Sequence, residues 1–238
     1  MLSTLLNGGF TKETLLAIIL SIPSIMIALS FHEAAHGYVA YKMGDPTAKN
    51  LGRITVNPIK HLDPIGSLFM LLFGFGWAKP VPIVTRHFKN QKKGMALSAL
   101  AGPVTNFLLG VIGVLITNLV CLGFILSGSI VFFGGELYLK NEDVFPIFHA
   151  ITLFLTYFSF YNFTLSIFNM IPIPPFDGSR VLFAFLPDKY YFGIMRYENV
   201  LLIAVLVLLN VSDFSVSNLV WWIYDIFDAL FKCIYAFV

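Results

Sequence analysis

The chain has 238 residues, of which 58% are hydrophobic and only 12% charged. A soluble domain carries about a quarter of its residues as Asp, Glu, Lys or Arg, so this composition excludes an ordinary soluble domain and predicts a polytopic membrane protein. Fifteen basic against thirteen acidic residues leave a formal charge of +2, which says little alone; no nucleic-acid partner is expected. Cys121 and Cys233 lie far apart in apolar runs, neither with a second Cys or a His at ligand spacing, so they give no disulfide framework.

The first apolar segment runs from about Lys12 to Met43, with Pro23 inside it and Gly44-Asp45-Pro46 to end it. No A-x-A-like cleavage site precedes residue 32, so it reads as an uncleaved membrane helix. It contains His32-Glu33-Ala34-Ala35-His36. Helical positions four apart share one face, so both imidazoles can address one metal ion, with Glu33 beside them. This H-E-x-x-H spacing is the one in which a zinc protease uses two His as ligands and the Glu as general base. The alternative is a chance match of two core histidines and a buried Glu. Nothing apolar can satisfy all three, and ionisable groups in or beside a membrane span are costly enough to read as functional.

A polar connection, residues 47–63, leads to an apolar stretch of thirteen residues, 65–77. That is too short for a helical span of about 20 residues, and Gly66, Gly74 and Gly76 favour bends, so a re-entrant hairpin is expected. Residues 79–93 are basic, and Pro80 and Pro82 predict extended chain. The second long apolar segment covers about Met95 to Leu126, with Ala101-Gly102-Pro103 and Asn106 near its start. Residues 127–143 read as a short loop, and a third span covers about Phe145 to Ile171. Two further apolar segments, about 200–211 and 216–238, complete an all-α, polytopic membrane fold. It has about five transmembrane helices plus the re-entrant segment, in one domain, 1–238. The motif-bearing core is about 12–186 and the C-terminal helices about 199–238.

Basic residues in short loops set the orientation. Lys42, Lys49, Arg53 and Lys60 precede the short apolar stretch; Lys79, Arg86, Lys89, Lys92 and Lys93 follow it. If that stretch re-enters and returns, both clusters are cytoplasmic. Loop 127–143, with Lys140 alone, is then outside, and loop 178–198, with Arg180, Lys189 and Arg196, is inside. This puts the N-terminus outside and the C-terminus inside. It also brings the ends of the first and third spans and the start of the second to one depth, as a single active site requires.

Two imidazoles leave a zinc site incomplete: a catalytic site takes a third protein ligand and keeps one position open. The candidates are His61, His87, His149, Asp63 and Asp177. His149 is at the outer end of the third span, and His87 reads as a solvated loop residue. Asp177 follows Pro172, Pro174 and Pro175, which break the helix and present it on irregular backbone facing protein or water. It is the chosen ligand; a helix-capping Asp is the alternative. His61 and Asp63 either cap the re-entrant segment or line water access.

Three motifs in order now resemble those of the site-2 protease family of intramembrane zinc metalloproteases: HEAAH at 32–36, AGPVTN at 101–106 and NMIPIPPFDG at 169–178. The resemblance spans about residues 22–186, and Asn57-Pro58, His61 to Pro64 and Gly66 look like its compact prokaryotic branch, without an inserted recognition domain. It implies one Zn2+ per chain held by His32, His36 and Asp177, with Glu33 as catalytic base. It also associates the Gly102–Asn106 pattern with an oxyanion donor, so Asn106 is a candidate catalytic residue; an interhelical hydrogen bond is the equal alternative. Asn169 reads as structural. The expected function is hydrolysis of a peptide bond in a membrane-embedded protein substrate, near the cytoplasmic side of a prokaryotic cell membrane. The alternatives are a membrane zincin acting on surface peptides and a non-enzymatic metal transporter or scaffold. Segment 65–77 offers either an edge for an unwound substrate strand or a purely structural loop.

Overall fold

A computed structural model of the chain describes residues 11–66, 69, 78–134, 136–187, 197, 200–201, 203–205 and 216–235. Among the described residues, three helices are long and apolar enough to cross a membrane. The first, α1 (Lys12–Met43), is capped by the Thr11 side chain and stops where Gly44 takes a φ of +115°, a conformation that favours glycine. A one-turn helix, α2 (Thr47–Asn50), follows. The second long helix, α3 (Gln91–Leu126), starts at Asn90, whose side chain accepts from the Lys93 N–H. The third, α4 (Phe145–Asn169), ends just before the proline-rich turn, and α5 (Asp177–Phe183) begins on Asp177 itself.

These helices meet along a face of α3 built from small and polar residues. Gly102, Asn106, Gly110, Gly113 and Thr117 recur at intervals of three and four, so they lie on one side. A Cβ on Gly110 would stand 2.6 Å from the Phe163 ring of α4, and one on Gly113 would run into the Ser159 hydroxyl. Close approach of backbones through small residues is how membrane helices pack without a hydrophobic driving force. Along α3, Gly102 meets His32 and His36 while Asn106 meets Ala28, and Gly110 meets Phe163 while Gly113 meets Ser159, so α3 runs antiparallel to both α1 and α4.

Residues 127–143 differ from the loop expected of them. Ile130–Phe133 (β1) and Glu136–Leu139 (β2) form an antiparallel hairpin, with Ile130 opposite Leu139 and Phe133 opposite Glu136. Gly134, at φ +61°, opens the turn. The final helix, α6 (Val216–Lys232), is amphipathic: Val220 and Tyr224 pack into a core with Val114 and Phe163. It runs alongside α3 toward the hairpin, because Asn118 donates to Asp228 and Tyr235 packs on Phe132. The last described residues therefore sit at the hairpin end, opposite to the inside end expected for the C-terminus. That expectation counted 200–211 as a span. Twelve helical residues reach only about 18 Å, well short of the ~30 Å hydrocarbon core; most of that segment lies outside the described residues.

Most of segment 65–77 also lies outside them, but its flanks are described. Leu62 and Ala78 form an antiparallel bridge, and Lys79 N–H donates to the His61 carbonyl at 2.8 Å. The two flanks of the segment therefore lie side by side. His61 donates from Nε2 to the Thr55 carbonyl, and Asp63 accepts from the Gly66 N–H, so both act as local braces.

Candidate metal centre

His32 and His36 lie one turn apart on α1, and the break after α4 carries Asp177 back to meet them. His32 Nε2 and His36 Nε2 are 2.9 Å apart, and each is 3.1 Å from Asp177 Oδ2. All three residues are buried. They are the only such trio of ligand-type side chains among the described residues.

Neighbouring groups decide which ring nitrogen faces the centre. His36 Nδ1 is 2.7 Å from the Ser98 carbonyl, which can only accept, so Nδ1 carries the proton. His32 Nδ1 lies 2.5 Å from Asn106 Oδ1. Asn106 Nδ2 donates to the Ala28 carbonyl (3.0 Å) and to Asn162 Oδ1 (2.7 Å), so its oxygen must be the atom facing His32. Both rings thus turn an unprotonated Nε2 toward a carboxylate oxygen. Three lone-pair-bearing atoms facing one another are mutually repulsive without a cation between them. Tetrahedral zinc at about 2.0–2.1 Å from N and O ligands would hold them about 3.3 Å apart, close to the spacing seen. The donor set, its tautomers and its size therefore fit zinc. Gly102 of α3 covers the centre, and a Cβ there would stand 2.6 Å from His36 Cε1 and Nε2 and 2.7 Å from His32 Cε1.

Glu33 is half-buried, and its Oε2 accepts from the Val81 N–H at 2.7 Å. Prolines lack that donor, so Val81 supplies the only N–H in Pro80-Val81-Pro82. The extended segment bearing Val81 is fastened on both sides. Arg53 donates to the Lys79 carbonyl at 2.6 Å, and Val84 N–H donates to Asp45 Oδ2 at 2.6 Å. Asp45 is fully buried just beyond α1. Burial pushes its carboxyl pKa up, but hydrogen bonds from the Thr47 hydroxyl, the Val84 N–H and His87 outweigh that and bring it down to about 2.

The centre thus brings together His32, His36 and Asp177, with Glu33 and Asn106 beside them. His87 instead pairs with Asp45 at 3.0 Å. His149 stacks on Phe145 at the start of α4, at the opposite end of the helix from Asp177. Asn169 donates to the Leu165 carbonyl within α4. Both amide protons of Asn106 are donated to other helices, one to the Ala28 carbonyl and one to Asn162 Oδ1. Sequence reasoning did not find Ser98, Val81, Asn162 or the Asp45–His87 pair. A backbone contact leaves no mark in side-chain identity. The donor-poor Pro80-Val81-Pro82 pattern was a readable hint.

Comparison with known proteins finds zinc metalloproteases. The chain is 37% identical over 185 residues to "Putative zinc metalloprotease YwhC" of Bacillus subtilis, covering 78% of this chain and 77% of that one. It is 24% identical over 214 residues to "Putative zinc metalloprotease Rip2" of Mycolicibacterium smegmatis, covering 87% and 73%. It is 26% identical over 166 residues to "Zinc metalloprotease MJ0392" of Methanocaldococcus jannaschii, covering 70% of this chain and 34% of that longer one. No solved structure matches the chain. The profile of Peptidase family M50 matches residues 20–211, including all three ligand-type residues of the centre. The chain is a metalloprotease and belongs to peptidase family M50.

Proposed function

We propose that the chain is an intramembrane protease of a prokaryotic cell membrane. It holds one zinc through His32, His36 and Asp177 and cleaves a transmembrane protein substrate near the cytoplasmic face. The observation that carries this reading is the convergence of two correctly turned imidazoles and a carboxylate, supplied by a membrane-length helix and a proline-broken helix end. A zinc ion held by these three residues would supply Lewis acidity for the scissile carbonyl and would lower the pKa of a nearby water, so that its deprotonated form is available to attack. Glu33 takes the proton from that water and returns one to the leaving amine, while the Val81 N–H holds one of its oxygens and leaves the other for the water. Asn106 serves the reaction by accepting from His32 Nδ1, which keeps Nε2 as the ligand atom. The pairing of Leu62 with Ala78 supports both basic clusters facing one side, the cytoplasm.

A surface-acting zincin would need no active site below the membrane surface. A transporter would need no general base between its ligands. Comparing the membrane proteome of cells carrying the active chain with that of cells carrying Glu33→Gln separates these readings. At least one transmembrane protein should accumulate uncleaved in the cells carrying the variant. If only soluble peptides accumulate, or nothing changes, the intramembrane reading fails.

A further inference from the structure

The metal centre rests on a third helix that no ligand occupies. Asn162 of α4 is fully buried, and so is Asn106. Asn162 Nδ2 donates to the Phe158 carbonyl at 2.8 Å, which fixes its amide oxygen toward Asn106. Asn106 Nδ2 donates to that oxygen and to the Ala28 carbonyl, which fixes its own oxygen toward His32. Each carboxamide thus has one N–H on a main-chain carbonyl, and the two lie in series. If Asn106 were flipped, its oxygen would face the Ala28 carbonyl and the Asn162 oxygen, two acceptors against a third. Its NH2 would then face His32 Nδ1, and the imidazole would have to move its proton to Nε2, the ligand position.

We propose that Asn162 is a positioning residue of the metal centre: its amide oxygen locks Asn106 in the one orientation that keeps the His32 proton on Nδ1. This rests on the reading of His32, His36 and Asp177 as zinc ligands. With Asn162 truncated, one Asn106 amide proton is buried without an acceptor, and the bias against the flipped amide weakens.

The test is zinc affinity of the full chain in detergent, by competition with a chromogenic chelator, together with melting temperature with and without zinc. Removing a group that orients a metal ligand typically weakens binding about 10- to 100-fold. Asn106→Ala should fall in that range, and Asn162→Ala near its lower end, about 10-fold. The double variant should bind no more weakly than Asn106→Ala alone, because Asn162 acts only through Asn106. Asn118→Ala is the control: that residue is a buried amide on α3 bonded to Asp228, away from the centre, and it should lower the melting temperature without changing zinc affinity. His36→Ala separates the two readings. If it keeps full zinc affinity, the ligand assignment fails. If it abolishes binding while Asn162→Ala binds as the unmodified chain does, the relay alone fails. Losses that add in the double variant overturn the relay too. Asn162→Leu, of similar volume, repeats the measurement if the Ala variant does not fold; failure of both to fold would assign Asn162 to the helix bundle instead.

Discussion

Gly102→Ala is the smallest change that should disable the centre, and its effect can be worked from distances. The added Cβ would meet three ring atoms of His32 and His36 at 2.6–2.7 Å, where ordinary contact begins at 3.4 Å, an overlap of about 0.8 Å. The rings cannot swing aside with metal bound, since each is tethered at Nδ1, to Ser98 and to Asn106, and at Nε2 to the ion. Without metal they can rotate. The overlap therefore falls mainly on the loaded state and appears as weaker zinc binding. Inserting one methyl into a packed site costs about 1–3 kcal/mol, or roughly a 5- to 150-fold loss of affinity. Chelator competition reads this directly. Gly123→Ala makes the same substitution on the same helix with nothing within 4 Å, and it should leave zinc affinity unchanged while stabilising the helix by up to about 1 kcal/mol. Wild-type zinc affinity in Gly102→Ala would refute the close approach of α3 to the two rings.

Three more outcomes follow from the same geometry. Val81→Pro removes the N–H that holds Glu33 and should lower kcat about 10- to 100-fold with zinc retained, whereas Val81→Ala keeps the N–H and most of the rate; equal kcat in the two would remove Val81 from the mechanism. Asp177→Asn replaces a carboxylate with a poor zinc ligand and should lose metal, as read by elemental analysis, unlike Glu33→Gln. The Asp45 carboxyl titrates near pH 2 in the folded chain against an ordinary 3.8, so folding favours its ionised form. Its stabilisation is present above about pH 4 and is lost as the pH falls toward 2. Melting temperature in that window should drop more steeply for the unmodified chain than for Asp45→Asn.

The parts of the site legible in the sequence were those fixed by local spacing. His32, Glu33 and His36 follow from helical periodicity, and Asp177 from the prolines that end α4 before it. Their meeting followed from loop charge, which needs no side-chain geometry. Asn162 was not legible: one Asn in an apolar helix gives no sign of which helix it faces, and its partner lies 56 positions away. Gly102 was read as part of a pattern, but its physical cause, the lack of room for a methyl against two rings, is a tertiary fact. The β1–β2 hairpin has only Gly134-Gly135 as its turn signal, in a short stretch between two long apolar segments. The direction of α6 is set by contacts of Asp228 with Asn118 and of Tyr235 with Phe132, which loop charge does not encode.

The central claim is that His32, His36 and Asp177 together hold one zinc at which Glu33 acts. The direct test is the zinc content per chain of the purified protein, measured in parallel for the unmodified chain, Glu33→Gln and His36→Ala. The account predicts one zinc per chain in the first two and loss in the third. Full zinc retained in His36→Ala, or zinc lost from Glu33→Gln, would contradict it.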